Sequence, residues 1–229
     1  MIIGINGYAG TGKDTIGKLI QIASCDTLPK SKDLEELVND YPNNEWWLEE
    51  KSGWQIKKWA GKLKTIASIL TGIPIEKFED QEFKKTKLPQ MWSNHGMKIT
   101  VREFLQNLGT DALRDGLHPN TWVNALMSDY EGLYDLDTDR TTWPNWVITD
   151  TRFPNEARAI KDAGGIVIRV DRPGISAINS HPSETALDNW EFDYKIMNGS
   201  DLVSLMFTVH NILKKQKLIS YDRSTGVSS

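Results

Sequence analysis

Residues 7 to 15, Gly7-Tyr8-Ala9-Gly10-Thr11-Gly12-Lys13-Asp14-Thr15, have the types and spacing of a phosphate cradle. In G-x-x-x-x-G-K the glycines let successive backbone N–H groups turn inward. The helix that follows adds its positive N-terminal end, and the lysine reaches the outer phosphates of a nucleoside triphosphate. This chemistry requires a strand before the loop and a helix after it. Met1-Ile2-Ile3-Gly4-Ile5 reads as the strand, and Ile16, Leu19, Ile20 and Ala23 recur at helical spacing. The bland alternative, a glycine-rich turn that binds nothing, does not demand that order. Asp14 stands where a serine or threonine ordinarily offers its hydroxyl to Mg²⁺, with Thr15 behind it. A carboxylate there repels a triphosphate unless a metal lies between them, so Asp14 is expected to face Mg²⁺ or its water shell. Its other use would be to complement the helix dipole.

A second constellation follows the apolar run Trp146-Val147-Ile148. Asp150 ends that run and opens D-T-R-F-P-N-E, which sets Asp150, Arg152 and Glu156 within about two helical turns. Phosphoryl transfer uses such a mixture, cations to neutralise phosphates and carboxylates to hold metal or orient the acceptor. Helix N-capping is the alternative use of Asp150. Arg102 and Gln106 share a helical face, with Asp111 and Arg114 nearby. Arginine forks a phosphate better than lysine does, although surface pairing is the common use of such residues. Trp122 is either core or a plate for a nucleobase. Lysines cluster at 57, 58, 62 and 64, beside a strand end, and at 84, 85 and 87; such clusters are usually solvated faces.

Other chemistries are disfavoured. His95, His118, His181 and His210 show no metal-ligand spacing, no G-x-S-x-G elbow exists, and the single Cys25 allows neither an intramolecular disulfide nor a cysteine-rich metal site. A net charge of -4 argues against a protein that grips a nucleic-acid polymer. With 39% hydrophobic and 25% charged residues and no long apolar run, the composition is that of a globular chain outside the membrane. The loop starts too early for a cleaved leader, so a cytoplasmic location is expected.

Strands are expected at 1–5, 54–59, 146–148, 166–170 and 194–197, alternating with helices after the loop, at 63–70, 100–115, 120–127, through Ala157 and Ile160, and at 202–213. That alternation predicts an α/β fold with a mainly parallel central sheet flanked by helices, whose ligands bind beyond the strand C-termini. One core is expected over 1–219. Residues 26–53 read as a polar insertion with a short helix near 33–39 and a breaker at Tyr41-Pro42-Asn43-Asn44, and 131–145 as a second, acidic loop. Residues 75–98 show no clean period and read as loop or cover. Residues 175–190 read as a mobile cover, and the tail from Ser220 as flexible.

In order along the chain, G-x-x-x-x-G-K-D-T at Gly7 to Thr15, A-G-K-L-K at Ala60 to Lys64, V-R-E-F-L-Q-N-L-G-T-D at Val101 to Asp111, Trp122, D-T-R-F-P-N-E, R-P-G at Arg172 to Gly174, H-P-S-E at His181 to Glu184 and N-G-S at Asn198 are the blocks of a family. The chain resembles the phage-type deoxynucleoside monophosphate kinases, a branch of the P-loop kinases with a three-layer fold. The resemblance implies transfer of the γ-phosphoryl group of ATP to a deoxynucleoside 5′-monophosphate, with Mg²⁺ as cofactor and a homodimer as the assembly. On that resemblance Gly10, Thr11, Gly12, Lys13, Asp14 and Thr15 hold the ATP phosphates and metal, with Arg172 near their charge and the backbone at Asn198 and Gly199 taking the adenine. Lys64, Arg102 and Arg152 grip the acceptor phosphate or the moving group, Gln106 and Trp122 line the acceptor site, and Asp150 and Glu156 orient the acceptor. Lys13, Arg102, Asp150 and Arg152 form the implied catalytic set. Dephospho-coenzyme A kinase is a rival with a similar plan. A nucleotide-dependent switch is a rival of another class, but D-x-x-G at Asp129 and Asp162 is not placed as a switch needs, and no N-K-x-D motif exists.

Overall fold

The computed structural model describes residues 1–26, 33–93, 96–176 and 185–219. Residues 177–184 of the expected cover at 175–190, which include the H-P-S-E block, fall outside them, as does the tail from Ser220. The described chain divides into two compact units, Met1–Lys57 with Gly132–Ser229, and Lys58–Glu131. Each unit holds an apolar cluster of its own.

In the first unit β1 (Ile2–Asn6) leads through the glycine loop to α1 (Lys13–Ser24). Two helices follow, α2 (Leu34–Asn39) and α3 (Tyr41–Ser52), then β2 (Trp54–Lys57). The Tyr41-Pro42 breaker expected from sequence is instead the start of α3. Proline fits a first helical turn because the N–H it lacks would have no partner there. The stretch is not polar throughout, since it sends Leu37, Val38, Tyr41 and Leu48 into the core beneath α1. Tyr41 Oη donates to Gln21 Oε1 at 2.8 Å, and Gln21 Nε2 donates to the Trp54 carbonyl at 2.7 Å.

The second unit begins with α4 (Gly61–Thr71) and continues through three short 3-10 turns at Ile75–Phe78, Phe83–Lys85 and Gln90–Trp92. These turns have no long period, which is why the sequence read as loop, yet Phe78 and Leu88 are buried against Ala67, Val101 and Phe104. The helix expected over 100–115 is regular only as α5 (Val101–Gln106), opened by a Thr100–Glu103 capping box. It then widens into a π-helical stretch, Asn107–Asp115, and α6 (Thr121–Met127) follows.

Back in the first unit, the acidic 131–145 region is not all loop. It contains the antiparallel hairpin β3 (Leu133–Asp135) and β4 (Arg140–Thr142). After it come β5 (Asn145–Ile148), α7 (Pro154–Asp162), β6 (Ile166–Asp171), β7 (Tyr194–Met197) and α8 (Leu202–Lys215).

The main sheet has five strands in the order β2-β5-β1-β6-β7, all parallel. Side chains alternate across a strand, so β1 shows how the layers form. Ile3 and Ile5 join the cluster made with α1, α3 and α8. Gly4 faces the other way, where a Cβ would collide with Ile160 of α7. Helices thus cover both faces, and β1, buried throughout, is central. Its C-terminal end is where the glycine loop emerges.

Candidate active site

The loop after β1 is held from several directions. Thr11, fully buried, donates through its Oγ1 to the Tyr8 carbonyl at 2.9 Å. Lys13 Nζ donates to the carbonyls of Gly7 and Tyr8, both at 2.8 Å. Beyond β7, Asn198 Nδ2 donates to the Thr11 carbonyl at 2.8 Å, and beyond β6, Arg172 Nη1 reaches the Gly10 carbonyl at 3.4 Å. Gly12 has φ 91°, and a Cβ there would run into the Asn198 amide, so backbone and neighbour both demand glycine. Predicted donor-site residues from three strand ends therefore meet at this loop.

Asp14 is exposed in the first turn of α1, and its Oδ1 accepts from Thr149 Oγ1 at 2.7 Å. Thr149 is buried just past β5, so a fixed hydroxyl orients this carboxylate. Sequence reasoning passed over Thr149, although its place at a strand end beside Asp150 was a signal.

The D-T-R turn is locked to β1. Thr151 N donates to the Ile5 carbonyl at 3.2 Å, and Asn6 Nδ2 donates to the Thr151 carbonyl at 2.9 Å. Asp150 and Arg152 flank this clamped residue. The N-cap of α7 is Phe153, so Asp150 does not cap it. Glu156 is buried, and its Oε2 accepts from the backbone N–H groups of Arg152 at 2.7 Å and Phe153 at 3.0 Å. In this structure Glu156 thus sets the course of the Arg152 backbone.

The second unit gathers cations. Lys64 on α4 is only 9% exposed and forms an ion pair with Glu79. Arg102 on α5 is exposed, and its Nη2 reaches Gln81 Oε1 at 3.3 Å. Lys84 completes the group. Its pKa is lowered, first by burial and then by the nearby Lys64, Arg102 and Lys58, with Glu79 opposing them. The sequence reading treated Lys84 as a solvated face because its segment has no period to define a face. Gln106 lies one turn after Arg102 and is exposed. Trp122 is 6% exposed, and its Nε1 donates to the Gly109 carbonyl within the π-helical stretch at 2.8 Å. It packs as a core residue that also fixes that stretch. Arg152 belongs to the first unit, while Lys64, Arg102, Gln106 and Trp122 belong to the second.

A family model described as deoxynucleotide monophosphate kinase matches residues 55–209. The chain is 31% identical to an Acanthamoeba polyphaga mimivirus protein provisionally named a deoxynucleotide monophosphate kinase, over 68% of this chain and 81% of that one. It is 26% identical to the deoxynucleoside-5′-monophosphate kinase of Escherichia phage T5, over 92% of this chain and 95% of the phage protein. To the deoxynucleotide monophosphate kinase of Enterobacteria phage T4 it is 30% identical, over 56% of this chain and 51% of that one. The family match takes in the D-T-R turn, Trp122 and every cation from Lys58 to Arg102, and over that span the chain belongs to the deoxynucleotide monophosphate kinase family.

Proposed function

We propose that this protein transfers the γ-phosphoryl group of ATP to a deoxynucleoside 5′-monophosphate, giving the diphosphate and ADP. The observation that carries the reading is that the chain has two separate assemblies suited to phosphate. One is the glycine loop with Lys13, and the other is the cluster of Lys58, Lys64, Lys84 and Arg102. Two such assemblies fit a reaction with two phosphorylated substrates.

The donor residues are Gly10, Thr11, Gly12, Lys13 and Thr15 for the phosphates, with Arg172 adding charge at Gly10. The Asn198 N–H is already donated to Asp171, so the Asn198 carbonyl and the Gly199 N–H are the backbone groups assigned to the adenine. The acceptor's attacking atom is a phosphate oxygen that is already anionic, so positioning and charge compensation, rather than proton removal, lower the barrier. Lys64, Lys84 and Arg102 hold that phosphate, Arg152 stabilises the moving group, and Asp150 and Glu156 orient the acceptor and its turn. Gln106 and Trp122 shape the acceptor side, Trp122 by holding the π-helical stretch.

The donor set fits Mg²⁺. Asp14 and Thr15 offer hard oxygens, and Mg²⁺ typically takes one or two carboxylates together with phosphate oxygens and water. Consistent with that, no group of three or more His, Cys, Asp or Glu residues is gathered among the described residues as an all-protein cage. When bound, Mg²⁺ neutralises phosphate charge beside Asp14.

A homodimer and a cytoplasmic location are part of the same reading. Among the described residues no helix is long and apolar enough to cross a membrane. The deciding experiment is ADP release with ATP and Mg²⁺ over a panel of deoxynucleoside and ribonucleoside monophosphates and dephospho-coenzyme A. Stimulation by deoxynucleoside monophosphates is expected. Stimulation by dephospho-coenzyme A alone, or slow hydrolysis with no acceptor dependence, overturns the proposal.

A further inference from the structure

A charged network lies behind the glycine loop and is built on Arg169, in the middle of β6 and only 7% exposed. Its Nε donates to Asp171 Oδ1 at 2.8 Å, and its Nη1 to Asn6 Oδ1 at 2.7 Å and to Asp188 Oδ1 at 3.4 Å. The guanidinium carbon sits 4.3 Å from the centroid of the Tyr8 ring, and Tyr8 Oη donates to the same Asp188 Oδ1 at 2.9 Å. Arg169 therefore grips the last residue of β1 and the second residue of the loop at once.

Tyr8 is central to the loop's own bonding. Its carbonyl accepts from Lys13 Nζ, from Thr11 Oγ1 and from Thr11 N. Asn6 ties the D-T-R turn to β1 through its Nδ2. A shift of the Tyr8 ring would move the carbonyl that receives the lysine, and a shift of Asn6 would move both the loop and the turn. Burying a guanidinium beside two carboxylates gives little net stability compared with apolar packing, so a stability role alone accounts poorly for its presence. Its planar fork and its π-face contact suit it to fixing geometry in several directions.

We infer that Arg169 is a positioning residue of the reaction, which sets the phosphate-binding conformation of the loop by clamping the Tyr8 ring and the Asn6 amide. The inference rests on the proposal that the loop binds ATP. Asp188 is the hinge pin of the clamp, since it touches both Arg169 and Tyr8.

Removing Arg169 leaves Asp171 and Asp188 without this cation and destabilises the fold, so the test is made at Tyr8. Tyr8→Phe keeps the ring over the guanidinium and loses only the bond to Asp188, whereas Tyr8→Leu loses both. ATP binding to the unaltered protein is measured first by calorimetry, with Lys13→Ala as the control; absence of binding there refutes the ATP proposal itself. Given binding, Tyr8→Leu is expected to raise the KM for ATP by about 3- to 30-fold, the range of a partly desolvated cation–π contact. The KM for the acceptor should stay at the parental value, and the melting temperature should fall only by the few degrees that loss of this contact costs, with Tyr8→Phe between parent and Tyr8→Leu in the KM for ATP. In the Tyr8→Leu background, Arg169→Lys should add less than it does alone. An ATP KM within twofold of the parent in Tyr8→Leu, or equal rises in the KM of both substrates, overturns the inference while leaving the ATP proposal standing.

Discussion

Replacing Thr149 with valine exchanges a hydroxyl for a methyl group of nearly the same shape and so isolates one hydrogen bond. That bond runs from Thr149 Oγ1 to Asp14 Oδ1 at 2.7 Å, and the Thr149 backbone stays tied to the Lys57 carbonyl at 3.2 Å. A hydrogen bond to a charged acceptor is worth about 1.5–3 kcal/mol. Asp14 is exposed, so water replaces part of the loss and the lower end applies. About 1.5 kcal/mol corresponds to roughly a tenfold fall in kcat/KM for MgATP, since each 1.36 kcal/mol is tenfold. Initial rates across a Mg²⁺ and ATP titration read it, with thermal melting as the check that folding is unchanged. In an Asp14→Asn background the same substitution should cost less than about twofold, because the charged partner has gone. If Asp14→Asn is impaired but Thr149→Val keeps full kcat/KM, then the threonine does not orient this carboxylate and the reasoning fails.

Further outcomes follow from other contacts. Lys13→Ala should lower kcat about 10²- to 10³-fold, the usual cost of losing one transition-state electrostatic partner, and an undiminished rate would remove Lys13 from the mechanism. Tyr41→Phe leaves the buried Gln21 Oε1 without its donor, so urea denaturation should show a loss of about 1–3 kcal/mol with kcat unchanged. On the proposed role of Lys84 its charged form holds the acceptor phosphate; burial and the neighbouring cations lower its pKa, so affinity should be present at neutral pH and lost as pH rises through the lowered value. Lys84→Arg should move that alkaline loss to higher pH in a KM profile for the acceptor, and a profile identical to the parent's would exclude Lys84 from binding.

The glycine loop and the D-T-R turn were legible because their patterns are local. A phosphate loop needs glycines, a lysine and a helix within nine residues of one another, and the D-T-R turn needs only a strand end, so both appear in a linear reading. The partners of Thr149, Lys84 and Arg169 were not legible, since each acquires its contacts only from residues outside its own stretch of chain. Thr149 meets Asp14 across 135 positions, and Arg169 meets Asn6 across 163. The Tyr41-Pro42 pair shows the same limit at the level of secondary structure. A proline marks a break or a beginning equally well, and burial of Tyr41 and Leu48 beneath α1 selected the beginning.

Periodicity and loop composition alone determined the parallel α/β sheet, its strands at β1, β2, β5, β6 and β7, and the glycine loop after β1, because those follow from alternation and from the backbone freedom of glycine. Tertiary structure alone decided that the described chain forms two units, that a stretch without period carries Glu79 and Lys84 to Lys64, and that Trp122 packs inward on the π-helical carbonyl. The reason is physical: hydrogen bonds and ion pairs between distant residues depend on how layers pack, and packing is a property of the whole chain that no window of sequence contains.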